Sequence, residues 1–169
     1  MLTPLKSRTF RAGNLRVAIV ASKYNARYVD AMLTSARAEL KRAGVKDIQV
    51  VRVPGAYEIP IVAARLARAA AQVADPDPRP STRTRLISAI ICLGVILRGE
   101  TVHAAHIGEA VSSALMQIQL QQGIPVIHEV LLLENEEQAR ARCLGRKHNR
   151  GAEAAQTALE MAQLMAGLP

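Results

Sequence analysis

Leu86-Ile-Ser-Ala-Ile-Ile-Cys-Leu93, continued by Gly94-Val-Ile-Leu-Arg-Gly-Glu-Thr101 and a helical pattern over about 101–122, decides the fold class. The first eight residues are apolar or small without strict alternation, which reads as a strand buried on both faces. Residues 16–21, 48–53 and 126–133 are three more short β-rich runs. Helical patterns follow over about 26–43, 58–73, 135–144 and 150–166. Strand followed by helix, four times over, predicts a parallel sheet covered on both faces, an α/β fold. Gly44 and Gly123 stand where C-cap glycines end the first and third helices, and Pro125 opens the fourth strand without removing a ladder bond. The chain divides into an N-terminal arm over 1–14 and a single domain over 15–169. A Pro-rich insertion at about 74–84, Ala74-Asp-Pro-Asp-Pro-Arg-Pro-Ser81 at its head, reads as an exposed loop.

Composition narrows the function classes. Half of the residues are apolar, yet only Phe10, Tyr24, Tyr28 and Tyr57 are aromatic. The core must therefore be built from Ala, Val, Ile and Leu, and Tyr24 and Tyr57 become candidates for stacking on a planar ligand. The formal charge of +8 is scattered, interrupted by acids and not interleaved with aromatics. That pattern argues for a solvated basic surface and against nucleic-acid binding. Cys92 and Cys143 belong to no C-x-x-C pair and read as packing residues. With no signal-like segment and no apolar run long enough to span a bilayer, a soluble cytoplasmic protein without membrane partners is expected.

Open parallel sheets bind ligands beyond the carboxyl ends of their strands. This rule selects 22–25, 54–58, 94–101 and the turn after Leu133. The 94–101 stretch superficially resembles a P-loop but lacks the Gly-Lys-Ser/Thr ending, which excludes a nucleotide triphosphatase. Gly99 permits a close backbone approach, and the amides of Glu100 and Thr101 at a helix start form an anion site. His103 follows as a group able to pass protons near neutrality. The spacing His103-x-x-His106-x-x-Glu109 matches no standard metal motif, and no metal is expected. Pro54-Gly55 makes a tight turn that leaves Glu58 at the sheet edge, suited to polyol hydroxyls or to the dipole of the following helix. Arg140, Arg142, Arg146, Lys147 and Arg150 supply cations for a phosphate clamp, although spacing does not select among them.

Lys23-Tyr24-Asn25, Val53-Pro-Gly-Ala-Tyr-Glu-Ile-Pro60, Leu93-Gly-Val-Ile-Leu-Arg-Gly-Glu-Thr-Val-His103 and Glu134-Asn-Glu-Glu-Gln-Ala139 resemble the lumazine synthase signatures, in order. Asn149-Arg-Gly151-Ala-Glu-Ala-Ala and Leu159-Glu-Met161 resemble that family's closing helix. The resemblance runs from about residue 15 to 165. It implies a flavodoxin-like three-layer α/β/α sandwich with a four-stranded parallel sheet, assembled as pentamers with active sites between subunits, and no cofactor. The implied substrates are 5-amino-6-(D-ribitylamino)uracil and 3,4-dihydroxy-2-butanone 4-phosphate, condensed to 6,7-dimethyl-8-ribityllumazine. Tyr24 would stack on the pyrimidine. Ala56, Tyr57 and Glu58 would hold the ring and ribityl chain, and Val95, Ile96 and Leu97 would contact the pyrimidine through their backbone. The Glu100 and Thr101 amides would bind phosphate with Arg142 of a neighbouring subunit, and His103 would shuttle protons.

The chain departs from the pattern at several points. Ala104 and Ala105 stand where relatives carry an aromatic and an acid. His128 replaces an aromatic bordering the pyrimidine pocket, and Glu129 a small residue. Leu132-Leu133 replace a Thr-Thr pair, and Arg146 a lysine. The short turn 144–149 is the kind that accompanies sixty-subunit shells in this family. The altered pocket sets a second expectation beside the enzyme: a non-catalytic flavin- or lumazine-binding, or shell-forming, paralogue.

Overall fold

The computed structural model describes residue 12 and residues 14–72, 86–145 and 148–169. Its elements follow the order β1 (Arg16–Ser22), α1 (Ala26–Arg42), β2 (Asp47–Val53), a single 3-10 turn (Ala56–Glu58), α2 (Ile59–Gln72), β3 (Ala89–Leu97), α3 (His103–Gln122), β4 (Val126–Leu133), α4 (Glu136–Cys143) and α5 (Arg150–Ala166). The strands form one parallel sheet in the order β2-β1-β3-β4. This is the three-layer α/β/α sandwich expected from the sequence.

The strand patterns explain the order. Along β1, Val17, Ile19 and Ala21 face the layer of α1, α4 and α5, while Ala18 and Val20 face α2 and α3. The central strands β1 and β3 are buried almost throughout, which is why neither alternates. Edge strand β2 is half-buried and carries Asp47, Gln49 and Arg52. With almost no aromatics, the helices approach the sheet on small residues. Ala154, Ala155, Ala158 and Ala162 line the buried face of α5. At the crossing of α5 with α1, a Cβ on Gly151 would fall 2.0 Å from the Met32 carbonyl oxygen, so only glycine fits. Fully buried Leu40 and Leu159 add about 1.5–3 kcal/mol each to this layer.

Helix ends follow the expected chemistry. Gly44 and Gly123 adopt φ of +89° and +62° after α1 and α3. Asn135 and Asn149 cap α4 and α5, accepting from the amides of Gln138 (3.0 Å) and Gly151 (2.9 Å).

Two boundaries differ from the sequence reading. The local pattern predicts the third strand over 86–93 with 94–101 as loop, yet β3 extends through Leu97. Residues Gly94 to Leu97 stay in the ladder because Val130 to Leu133 of β4 run beside them. Gly94 is therefore a packing glycine within a strand: a Cβ there would meet Val130 Cγ1 at 3.1 Å and Ile59 Cδ1 at 3.2 Å. The following helix begins at His103, not near 101, so Glu100 and Thr101 belong to a bend before it.

Of the N-terminal arm, Ala12 is buried and donates its amide to the Ala43 carbonyl at 3.1 Å. The Pro-rich insertion lies outside the described residues, as do Arg146 and Lys147 of the last turn. No helix among the described residues is long and apolar enough to cross a membrane.

Candidate active site

The chain order switches direction between β1 and β3, which leaves a crevice beyond their carboxyl ends. A cleft of about 720 Å³ opens there, within the usual size of small-molecule sites. The turn after β1 brings Tyr24 and Asn25, the turn after β2 brings Gly55, Ala56, Tyr57 and Glu58, and β3 brings Val95, Ile96 and Leu97. The first two turns of α3 close it with His103, His106, Ile107 and Ala110.

Each wall is held locally. β1 hooks onto the next loop as the Lys23 amide donates to the Val53 and Pro54 carbonyls (2.8 and 3.1 Å) and the Tyr24 amide to the Pro54 carbonyl (3.1 Å). Asn25 is the only described non-glycine residue with positive φ (54°). Its side-chain amide donates to the Val95 carbonyl at 2.8 Å, tying the β1 turn to β3. Left-handed backbone suits Asn better than most side chains. Tyr24 and Tyr57 remain 71% and 64% exposed, so two ring faces are available to a planar ligand, whereas Tyr28 is buried with its hydroxyl donating to Glu136.

Glu58 folds back over its own turn, and the Gly55 amide donates to its Oε2 at 2.8 Å. A Cβ on Gly55 would lie 2.9 Å from that oxygen and 3.1 Å from the Tyr24 ring, so the glycine admits both groups. Glu58 thus braces its turn while lining the cleft. The 98–102 bend is braced at its start: the Arg98 amide donates to the Leu133 carbonyl (2.8 Å) and its guanidinium to both oxygens of Glu134 (2.9 and 3.1 Å). Glu100 and Thr101 are exposed on this bend and do not line the cleft; the Thr101 hydroxyl accepts from the His103 amide at 3.4 Å. Around Gly99 the space is open: a Cβ there would meet nothing within 4 Å beyond its chain neighbours.

His128 and Arg142 lie elsewhere. His128 is exposed on edge strand β4, against Ser112 of α3. The Ser112 hydroxyl donates its one hydrogen to the Gly108 carbonyl (2.7 Å), so its oxygen accepts from His128 Nε2 (2.9 Å). Arg142 is exposed on α4, in the opposite helical layer from α2 and α3. Neither residue lines the cleft of its own chain.

Behind β4, Glu129 is buried and accepts from Arg150 through Nε and Nη2, both at 3.0 Å, while Arg150 Nη1 donates to Glu153 at 2.8 Å. Burial pushes the Glu129 carboxyl up to about 7 despite the guanidinium beside it, and the nearby Glu153 carboxylate adds to the rise. Burial also raises both thiols, so Cys92 and Cys143 are unreactive packing residues. No group of three or more His, Cys, Asp or Glu among the described residues is arranged to hold a metal ion.

Sequence reasoning placed eight of these residues at ligand positions that converge here: Tyr24, Ala56, Tyr57, Glu58, Val95, Ile96, Leu97 and His103. It gave no ligand role to His106, Ile107 or Ala110, although their spacing from His103 is that of one helix face.

Comparison with known proteins finds relatives that match along nearly the whole chain. A family model described as 6,7-dimethyl-8-ribityllumazine synthase matches residues 14–166. A 6,7-dimethyl-8-ribityllumazine synthase of Xanthomonas campestris pv. campestris is 41% identical over 161 residues, covering 94% of this chain and 95% of the relative. The protein of that name from Stenotrophomonas maltophilia is 41% identical over 156 residues, 91% of each chain. One from Xanthomonas euvesicatoria pv. vesicatoria is 40% identical over 161 residues, 94% of this chain and 95% of the relative. With its parallel sheet, its switch-point cleft and a match along nearly its whole length, the chain belongs to the lumazine synthase family.

Proposed function

We propose that the protein condenses 5-amino-6-(D-ribitylamino)uracil with 3,4-dihydroxy-2-butanone 4-phosphate to 6,7-dimethyl-8-ribityllumazine, as a transferase of riboflavin biosynthesis. The observation that carries this reading is the convergence of Tyr24, the 55–58 turn, the 95–97 backbone and His103 on one cleft in a chain of this family. Tyr24 stacks on the pyrimidine, the 95–97 backbone reads its edge, and Ala56, Tyr57 and Glu58 hold the ring and ribityl hydroxyls. The amides of Glu100 and Thr101 take the phosphate with Arg142, and His128 borders the pyrimidine, both side chains arriving from a second copy. Their positions outside their own chain's cleft support that arrangement.

The pyrimidine amine adds to the ketone and water leaves to give an imine. Phosphate departs, the resulting enol tautomerises, and the ribitylamino nitrogen closes the second ring with loss of water. Each step is an addition, an elimination or a proton transfer between two bound molecules, so the protein contributes proximity and one nearby acid/base without a metal or cofactor. His103 at the head of α3 is that group.

Exposed Ile61 (70%), Val102 (70%) and Leu120 (74%) support self-association, since covering each gains about 1.5–3 kcal/mol. Pentamers, gathered into a sixty-subunit shell, are the proposed assembly, working in the cytoplasm without nucleic-acid or membrane partners.

The test is product absorbance on mixing both substrates with the assembled protein at neutral pH, with riboflavin titration alongside. Turnover that His103→Ala lowers at least about a hundredfold supports the reading. Tight riboflavin binding without turnover would establish the non-catalytic paralogue instead.

A further inference from the structure

We infer that His106 is a second proton-transfer residue of the cleft, acting with His103; this rests on the synthase reading above. Both imidazoles line the same cleft. They stand three residues apart at the start of α3, which places them on one helix face as neighbours. Both are exposed and face the cleft rather than packing into the core. Between them Ala104 is buried and Ala105 carries no polar atom, so no carboxylate on this turn orients His103.

The ionisable groups sharing the cleft with His106 are few. Tyr57 and Glu58 come from the 3-10 turn and Tyr24 from the turn after β1, while β3 contributes only Val95, Ile96 and Leu97. Glu58 is already held by the Gly55 amide. On α3 itself the neighbours are His103 and, one turn on, exposed Glu109. On β4, His128 is engaged by Ser112. Among the described residues, His103 and His106 are the two imidazoles that line the cleft, side chains of a kind that can both take and give a proton.

Imine formation calls for both protonation states. As the amine adds to the ketone, a neutral imidazole takes the proton from nitrogen and an imidazolium supplies one to oxygen, giving the carbinolamine. The hydroxyl then accepts a second proton as its C–O bond breaks and water leaves, and the remaining N–H proton returns to the base. One proton is given and one taken at each stage, so a pair holding one proton between them is regenerated without exchange with solvent.

The experiment compares wild type, His106→Gln and His103→Gln as intact assemblies of matched native mass, measuring kcat and KM across pH. Glutamine keeps a hydrogen-bonding group but cannot titrate. Expected for His106→Gln is a fall in kcat of at least about tenfold, KM within about twofold, and loss of one limb of the kcat profile. An unchanged kcat and pH profile, or a rise in KM alone, overturns the inference while leaving the synthase reading standing. Absence of product from wild type overturns both.

Discussion

At the scale of single residues, the site depends on small groups that let large ones lie where a ligand can meet them. Gly55 is the clearest case, with the Glu58 carboxylate and the Tyr24 ring seated where its side chain would be. Gly55→Ala is expected to displace both and to raise KM for the ribitylamino-pyrimidine about tenfold, a loss of about 1.4 kcal/mol of binding. Steady-state kinetics at saturating sugar phosphate measures this, and an unchanged KM would show that neither group touches the pyrimidine. The tyrosines were legible in sequence because aromatics are so scarce here, and Glu58 because it follows a Pro-Gly turn. The Asn25 amide reaching the Val95 carbonyl was not legible, because that contact joins residues seventy positions apart. His106 was visible only as metal-like spacing; its place on the cleft wall needed the axis of α3.

At the scale of elements, the sequence marked each strand and α-helix among the described residues, and the errors fell where one strand's length is set by another. β3 runs through Gly94 to Leu97 because β4 offers a partner there, which no local pattern announces. The tight crossing of α1 and α5 makes a sharp prediction. Gly151→Ala drives a methyl group into the Met32 carbonyl and should cost about 3 kcal/mol or more, read by denaturant midpoint at constant m-value. The Glu129–Arg150 pair makes another. A carboxyl raised to about 7 when folded, above its ordinary 4.5, binds a proton more tightly in the native state. Its contribution is full below about 4.5 and is lost as pH rises through about 7. Glu129→Gln preserves an acceptor for Arg150 without a charge to bury. The variant's thermal midpoint should gain on wild type as pH rises from about 5 to about 8; an unchanged difference across that range would show that Glu129 does not titrate there.

At the scale of the whole molecule, one chain gathers most of the proposed site residues in a single cleft and holds two of them outside it. Tyr24, the 55–58 turn, the 95–97 backbone and His103 meet in the cleft, while His128 and Arg142 stand apart from it. Periodicity foretold a parallel sheet covered on both faces, since strand followed by helix four times over leaves few other solutions, and the family resemblance implied the three-layer sandwich. Periodicity could not foretell which cation would meet a phosphate, because spacing along the chain does not select among Arg140, Arg142 and Arg150. The shared site is tested most directly by mixing two inactive variants, His103→Ala and Arg142→Ala, in one co-assembled preparation and measuring lumazine formation. If copies mix at random, about a quarter of the sites pair an intact His103 with a neighbour's intact Arg142, and that share of wild-type activity should return. A mixed assembly no more active than its two parents would contradict a condensation site completed between subunits.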